Sequence, residues 1–298
     1  NRVQDRTKPQ APMPTSGFEN TPDTDPAIEA NRVWGEAIIA KIPGSKLGDD
    51  LVAAHTVKDR GQLEQIISDT VAAGAKWGAM TAEARAAILH AAGEKLEAAR
   101  ADLMEVMASE TGKTLDQSDP EVSEAIDFAH YYAEQGKKLD QIQGASYTPA
   151  KLTVVTPPWN FPVAIPAGST LAALAAGSPV IIKPAGQSRR SGAVMVKALW
   201  DAGVPKDVLQ LVVMSERDLG SALVSDPRVE RVILTGGYET AELFRSMRKD
   251  LPLLAETSGK NAIIVTPTAD LDVAIPSILF GSVGTAGQRC TSTRRVIV

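Results

Sequence analysis

The chain is poor in the residues that most often hold metals or form covalent links. Its 298 residues include one cysteine, Cys290, and three histidines, His55, His90 and His130. A single cysteine excludes an internal disulfide and agrees with a reducing compartment. The histidines are scattered and no paired Cys/His spacing exists, which argues against a structural metal. No apolar run approaches the roughly 20 residues that span a bilayer. The opening "NRVQDRTKPQAPMPTSG" lacks the apolar core of a signal peptide. Acidic residues outnumber basic ones, 36 to 31, for a net charge of −5. A nucleic-acid surface would need a clustered basic face instead. The expectation is a cytoplasmic protein with no membrane span, no metal and no nucleic-acid partner.

What is present falls into two textures. Residues 1–27 are rich in Pro, Thr, Asp and Asn without a period and read as an extended arm. From Lys58 to Gly136 the pattern is helical. Ile88, Ala92, Leu96, Ala99, Leu103, Met104 and Met107 recur at three- and four-residue steps, with Gly112 as a stop. A second helix is expected to open near Ser118-Asp119-Pro120 and to pack Phe128, Tyr131 and Tyr132 into a core. After Lys151, strand-like and helical segments alternate: "KLTVV", "PVIIK", "VLQLVVM", "RVILT", "PLLAE" and "NAIIV" are the strands. Continuous apolar strands alternating with helices predict an α/β fold around a parallel sheet. Right-handed crossovers place "TPPWNFP", "KPAGQ" and "TGGYET" on one edge of it, where doubly wound sheets bind ligands.

Individually, the candidate site residues are weak signals. The dinucleotide fingerprint G-x-G-x-x-G is absent, and Gly236–Gly237 at a strand–helix turn more often marks a tight turn than a phosphate site. Lys183 at a strand end is commonly just solvated. Cys290 and Glu256 make a better pair. Glu256 follows an apolar strand expected to be buried, and glutamate is rarely buried without a partner or a task. A thiol beside the N–H groups of a turn ionises more easily, and the thiolate is the nucleophile. Chemistry that needs a soft nucleophile first and an activated water later would use both. Spacing alone does not bring them together.

Taken together, "PPWNFP", "KPA", "TGG", "ETSGK" and "GQRC" resemble the aldehyde dehydrogenase superfamily in order and interval. The stretch "GFENTPDTDPAIEANRVWGEAI" is similar to the pyrroline-5-carboxylate dehydrogenase module of bifunctional proline-oxidising enzymes. That resemblance implies a Rossmann-like cofactor domain over residues 28–255, with an oligomerisation segment near 138–152, and the start of a second α/β catalytic domain over 256–298. It implies NAD-dependent oxidation of L-glutamate γ-semialdehyde to L-glutamate by Cys290. On the same basis Asn160 holds the oxyanion and Glu256 activates water. Thr156, Pro157, Trp159, Lys183, Gly186, Gly236, Gly237 and Thr257 face the cofactor, and Thr291 and Ser292 face the substrate carboxylate. A homo-oligomer is implied for the complete enzyme.

Three departures qualify what the resemblance implies. Gly186 stands where the family commonly has an acid gripping the adenosine ribose, and Arg189 and Arg190 lie nearby, so NADP is not excluded. The tail "PSILFGSVGTAGQRCTSTRRVIV" looks more like the branch acting on aminoadipic semialdehyde. Family members also continue well beyond the cysteine, so the 298 residues alone are expected to have little activity. Two rivals remain from the residues: a Cys/Glu amide or nitrile hydrolase, and a non-catalytic binding protein.

Overall fold

A computed structural model describes residues 4–12, 18–214 and 217–298, and every count below refers to these. Residues 1–3 and 13–17 of the expected arm lie outside them. The described part of the arm has no regular element but is not a free linker. Arg6 is buried, donating to Glu97 Oε1 at 2.7 Å, to Thr24 and to the Pro22 carbonyl. The Thr24 backbone N–H and hydroxyl both reach the Asp119 carboxylate. Buried charge pairing, invisible to a composition argument, pins the arm to the helices.

Helices begin earlier than Lys58, with α1 (Glu29–Lys41) and α2 (Asp49–Ala54). Helix α3 (Arg60–Gly78) starts where Asp59 accepts the Gln62 N–H, and α4 (Ala82–Ala98) where Thr81 accepts the Ala84 N–H. Helix α5 (Arg100–Thr111) ends at Gly112, whose φ of 71° suits glycine. Helix α6 (Leu115–Gly136) opens before the expected Ser118–Pro120 start, so Pro120 lies inside it. The ring then removes one helical hydrogen bond, a cost that packing of the buried face of α6 offsets. Phe128 and Tyr132 pack against the core as expected, whereas Tyr131 is exposed against the edge of Phe18.

The carboxyl-terminal part alternates strand and helix: β1 (Thr153–Thr156), α7 (Ala164–Ala175), β2 (Val180–Ile182), α8 (Arg189–Asp201), β3 (Leu209–Leu211), α9 (Arg217–Ser225), β4 (Arg231–Gly236), α10 (Tyr238–Met247) and β5 (Leu253–Thr257). These strands form one parallel sheet in the order β3-β2-β1-β4-β5. Side chains alternate across it with period two. Val155, Val180 and Ile182 join α4–α8 in one core, while Val154, Ile181 and Val232 join α3 and α9 in the other. The result is the α/β three-layer arrangement expected from the sequence. The α6–α7 contact is close because Gly168 leaves room for the Phe128 ring; a Cβ there would come within 2.9 Å.

The sheet continues through Thr257, past the domain boundary expected between 255 and 256. A second, two-stranded parallel sheet follows, from β6 (Asn261–Ile264) and β7 (Thr293–Ile297), joined by α11 (Leu271–Val283). Residues 142–152 carry no strand, though Tyr147 Oη donates to the Ala176 carbonyl at 2.7 Å. No helix of the described residues is long and apolar enough to cross a membrane.

Candidate functional site

Strand order reverses between β1 and β4, so the chain leaves these neighbouring strands in opposite directions and opens a crevice at their carboxyl ends. A cavity of about 720 Å³ occupies that crevice, within the range of small-molecule clefts. Thr156 at the end of β1 and Pro157, Trp159 and Asn160 of the loop after it belong to its wall. Lys183 comes from the end of β2, Gly236 and Gly237 from the turn after β4, Glu256 from β5, and Cys290 from the turn before β7. Residues separated by up to half the chain therefore share one space.

The nucleophile end is built from two turns facing each other. Thr285 and Ala286 have φ of 55° and 53°, and Gly287 has 69°, a left-handed run that turns the chain out of α11. A threonine in this region is sterically strained, and such strain clusters at functional sites. Arg289 fixes the turn by donating to Thr285 Oγ1 at 2.9 Å and to Gln117 of α6. Arg294 donates to the Gly287 carbonyl. Across the gap, Asn160 Nδ2 donates to the Gln288 carbonyl at 2.7 Å. An amide nitrogen has two hydrogens, so one remains for a ligand. Asn261 of β6 holds the Cys290 carbonyl at 2.6 Å, and the Cys290 thiol is exposed.

The opposite end is more apolar. Leu223, Val224, Leu243, Phe244 and Met247 line it. Gly237 caps α10 without a side-chain hydrogen bond, leaving amides of the first turn open to an anion. Burial and the neighbouring Arg189 guanidinium push the Lys183 ammonium below its ordinary range. An apolar slot, a cation and free helix amides along one crevice fit a dinucleotide.

Some expected site residues lie elsewhere. Gly186 is exposed in the loop after β2, and Thr257 ends β5; neither lines the cavity. Thr291 and Ser292 sit in a turn, not in the first turn of a helix. Ser292 is buried, and its Oγ accepts the Arg289 N–H, so it is not open to a substrate. Glu256 is exposed because β5 is an edge strand with only β4 beside it. The histidines are not scattered in space: His90 Nδ1 lies 2.7 Å from His130 Nδ1, and His90 Nε2 lies 2.9 Å from Glu134. Lys113, Gln117, Glu121 and Arg294 were not singled out in the sequence, and Gln288 and Arg289 entered only as part of "GQRC". Half of α6 is polar or charged, so nothing in its own residues separates Gln117 and the buried Glu121 from its solvated side chains.

The family model for the aldehyde dehydrogenase family matches residues 46–298. The chain belongs to the aldehyde dehydrogenase family. It is 33% identical over 290 residues to 1-pyrroline-5-carboxylate dehydrogenase 2 of Bacillus subtilis, covering 91% of this chain and 56% of that protein. It is 37% identical over 253 residues to the Bifunctional protein PutA of Klebsiella aerogenes, covering 82% of this chain and 19% of the relative. Among solved structures, Proline Utilization A from Corynebacterium freiburgense superposes with a TM-score of 0.85 at 39% identity, covering 96% of this chain and 28% of that one. The chain thus spans about half, or less, of the length of these aldehyde dehydrogenase relatives.

Proposed function

We propose that this chain carries the cofactor crevice and nucleophile of an NAD-dependent dehydrogenase for L-glutamate γ-semialdehyde, the open form of pyrroline-5-carboxylate. The observation that carries this reading is that one cavity is lined by Cys290, Asn160 and Glu256 together with Lys183, Gly236 and Gly237. The names of the relatives favour this semialdehyde over aminoadipic semialdehyde.

In this mechanism the Cys290 thiolate attacks the aldehyde carbon, forming a C–S bond as the carbonyl π pair moves to oxygen. The free Asn160 N–H and the Cys290 backbone N–H stabilise that oxyanion. A bound nicotinamide dinucleotide supplies the two-electron acceptor that takes the substrate hydride. Lys183, Gly236, Gly237 and the first-turn amides of α10 would hold it. Glu256, exposed at the cavity wall, takes a proton from the water that attacks the thioester carbonyl. The C–S bond then breaks, releasing the carboxylic acid and regenerating the thiolate.

The chain spans about half, or less, of the relatives' length, so these 298 residues by themselves are expected to bind and react without efficient turnover. The decisive experiment uses the chain as it stands. Iodoacetamide should label Cys290 stoichiometrically at neutral pH, and L-glutamate γ-semialdehyde should slow that labelling more than propionaldehyde does. NAD should quench tryptophan fluorescence saturably. Labelling indifferent to every aldehyde, together with no NAD response, would overturn the reading; cofactor-free amide or nitrile turnover would replace it with a hydrolase.

A further inference from the structure

Behind the cavity, and not lining it, lies a buried ion pair that the mechanism above does not use. Lys113 and Glu121 are 6% and 2% exposed. Burying both charges is costly, and an apolar pair of similar volume would pack as well or better. Core packing therefore leaves this pair without a reason.

Its hydrogen bonds supply one. The Lys113 ammonium pairs with Glu121 Oε2, donates to the Asn160 backbone carbonyl at 3.0 Å, and stands 3.8 Å from the centre of the Phe161 ring. All three of its N–H groups are thereby engaged. The second carboxylate oxygen, Glu121 Oε1, accepts the N–H groups of Val163 at 2.7 Å and Ala164 at 3.1 Å. Val163 is the N-cap of α7 and has no side-chain cap of its own, so Glu121 caps that helix from α6. The backbone is held on both sides of Phe161 and Pro162: at the carbonyl of residue 160 and at the amides of 163 and 164. One turn earlier on the same face of α6, Gln117 accepts from Arg289 and Thr285 in the turn that carries Cys290. Lys113 in the loop before α6, with Gln117 and Glu121 one turn apart on it, thus reach both walls of the nucleophile end.

We propose that Lys113 and Glu121 are positioning residues that fix the Asn160 amide against the carbon–oxygen bond bound at Cys290. This rests on the dehydrogenase reading and extends it to groups that never touch substrate. Charge is needed because one carbonyl and two amides must be held together at a loop with no secondary structure of its own. An ammonium–carboxylate unit supplies donors and acceptors at both ends, which an apolar pair does not.

The test measures how much L-glutamate γ-semialdehyde halves the rate of Cys290 alkylation by iodoacetamide. Asn160→Ala should raise that concentration about tenfold or more by removing one oxyanion donor. Lys113→Met should raise it by a similar factor, and the uncharged pair Lys113→Met/Glu121→Gln provides a version with no buried lone charge. In the Lys113 variants alkylation without aldehyde should stay within about twofold, since neither side chain touches the thiol. In the Asn160→Ala background, either change should add little, because the group being positioned is already gone. Amide hydrogen exchange at Val163 and Ala164 should rise in the same variants. Unchanged protection by aldehyde in both variants would overturn the proposal, as would a full additional loss on top of Asn160→Ala. If aldehyde fails to protect the parent chain, the dehydrogenase reading itself falls and this proposal with it. Protection that is lost with Asn160→Ala but kept in both Lys113 variants sinks only the proposal.

Discussion

Helices α7 and α11 make an instructive pair. Both are rich in apolar residues, and both adjoin a parallel sheet. In α7, nine of twelve residues are buried, among them Leu171 and Leu174, between α6 and the large sheet. In α11 no residue is buried; Leu271, Val273, Ile275, Leu279, Phe280 and Val283 are all exposed. Val296 and Ile297 of β7 and Ile264 of β6 are exposed as well. Composition made both helices candidates for a core, but only neighbouring layers decide which one is in it. Each of these side chains, if covered by a neighbouring layer, would contribute about 1.5–3 kcal/mol.

The sharpest way to stress that comparison is through activity. In a length of chain that turns over, Cys290→Ala should abolish aldehyde oxidation, by at least about 10⁴-fold. The melting temperature should hardly move, because the thiol is exposed in the open region. Parallel loss of stability would mean the turn is structural. Next in size is the pair Leu171→Ala and Leu279→Ala, compared by urea unfolding of the 298 residues. The first should cost about 2–5 kcal/mol through a cavity in the core, the second no more than about 0.5 kcal/mol. Equal losses would show that α11 is covered in solution, by self-association for instance, and a concentration-dependent midpoint would identify that cause.

A smaller effect separates the closed region from the open one by pH. Burial, with His90 adding repulsion, lowers His130 from 6.5 to about 4, while Asp127 and Glu134 oppose the shift. The unfolded chain then takes up a proton that the folded chain refuses, so stability falls as pH drops from about 6.5 towards 4. The loss over that window is about 2–3 kcal/mol at most. Replacing His130 with Gln should flatten the stability profile between those values. A profile unchanged by the substitution would assign the acid sensitivity to other groups.

How much of this was legible in the residues varies element by element. β1 and β2 were readable because strands buried on both faces leave an uninterrupted apolar run. Gly112 was readable as a helix stop because a left-handed cap favours glycine locally. The opening of α6 was misjudged because Pro120 signals a first turn, yet tertiary packing carries the helix backwards to Leu115. The burial expected for Glu256 failed for a different reason: β5 reads like its interior neighbours, but nothing in its own residues says that it ends the sheet. Cys290, Asn160 and Glu256 stood out by motif as candidates, and all three line the cavity, whereas Lys113 and Glu121 did not stand out, since a buried ion pair looks in sequence like two solvated surface charges.

The sequence by itself determined the alternation of strand and helix, the turn residues and the family motifs, because these rest on short-range periodicity and backbone preference. Only the tertiary structure decided which apolar faces are covered, that the described arm is clamped by Arg6, and that Cys290, Asn160 and Glu256 share a cavity with Lys183. Those outcomes depend on strand order and on contacts between residues far apart in the chain, and no local pattern encodes the distance between two such groups.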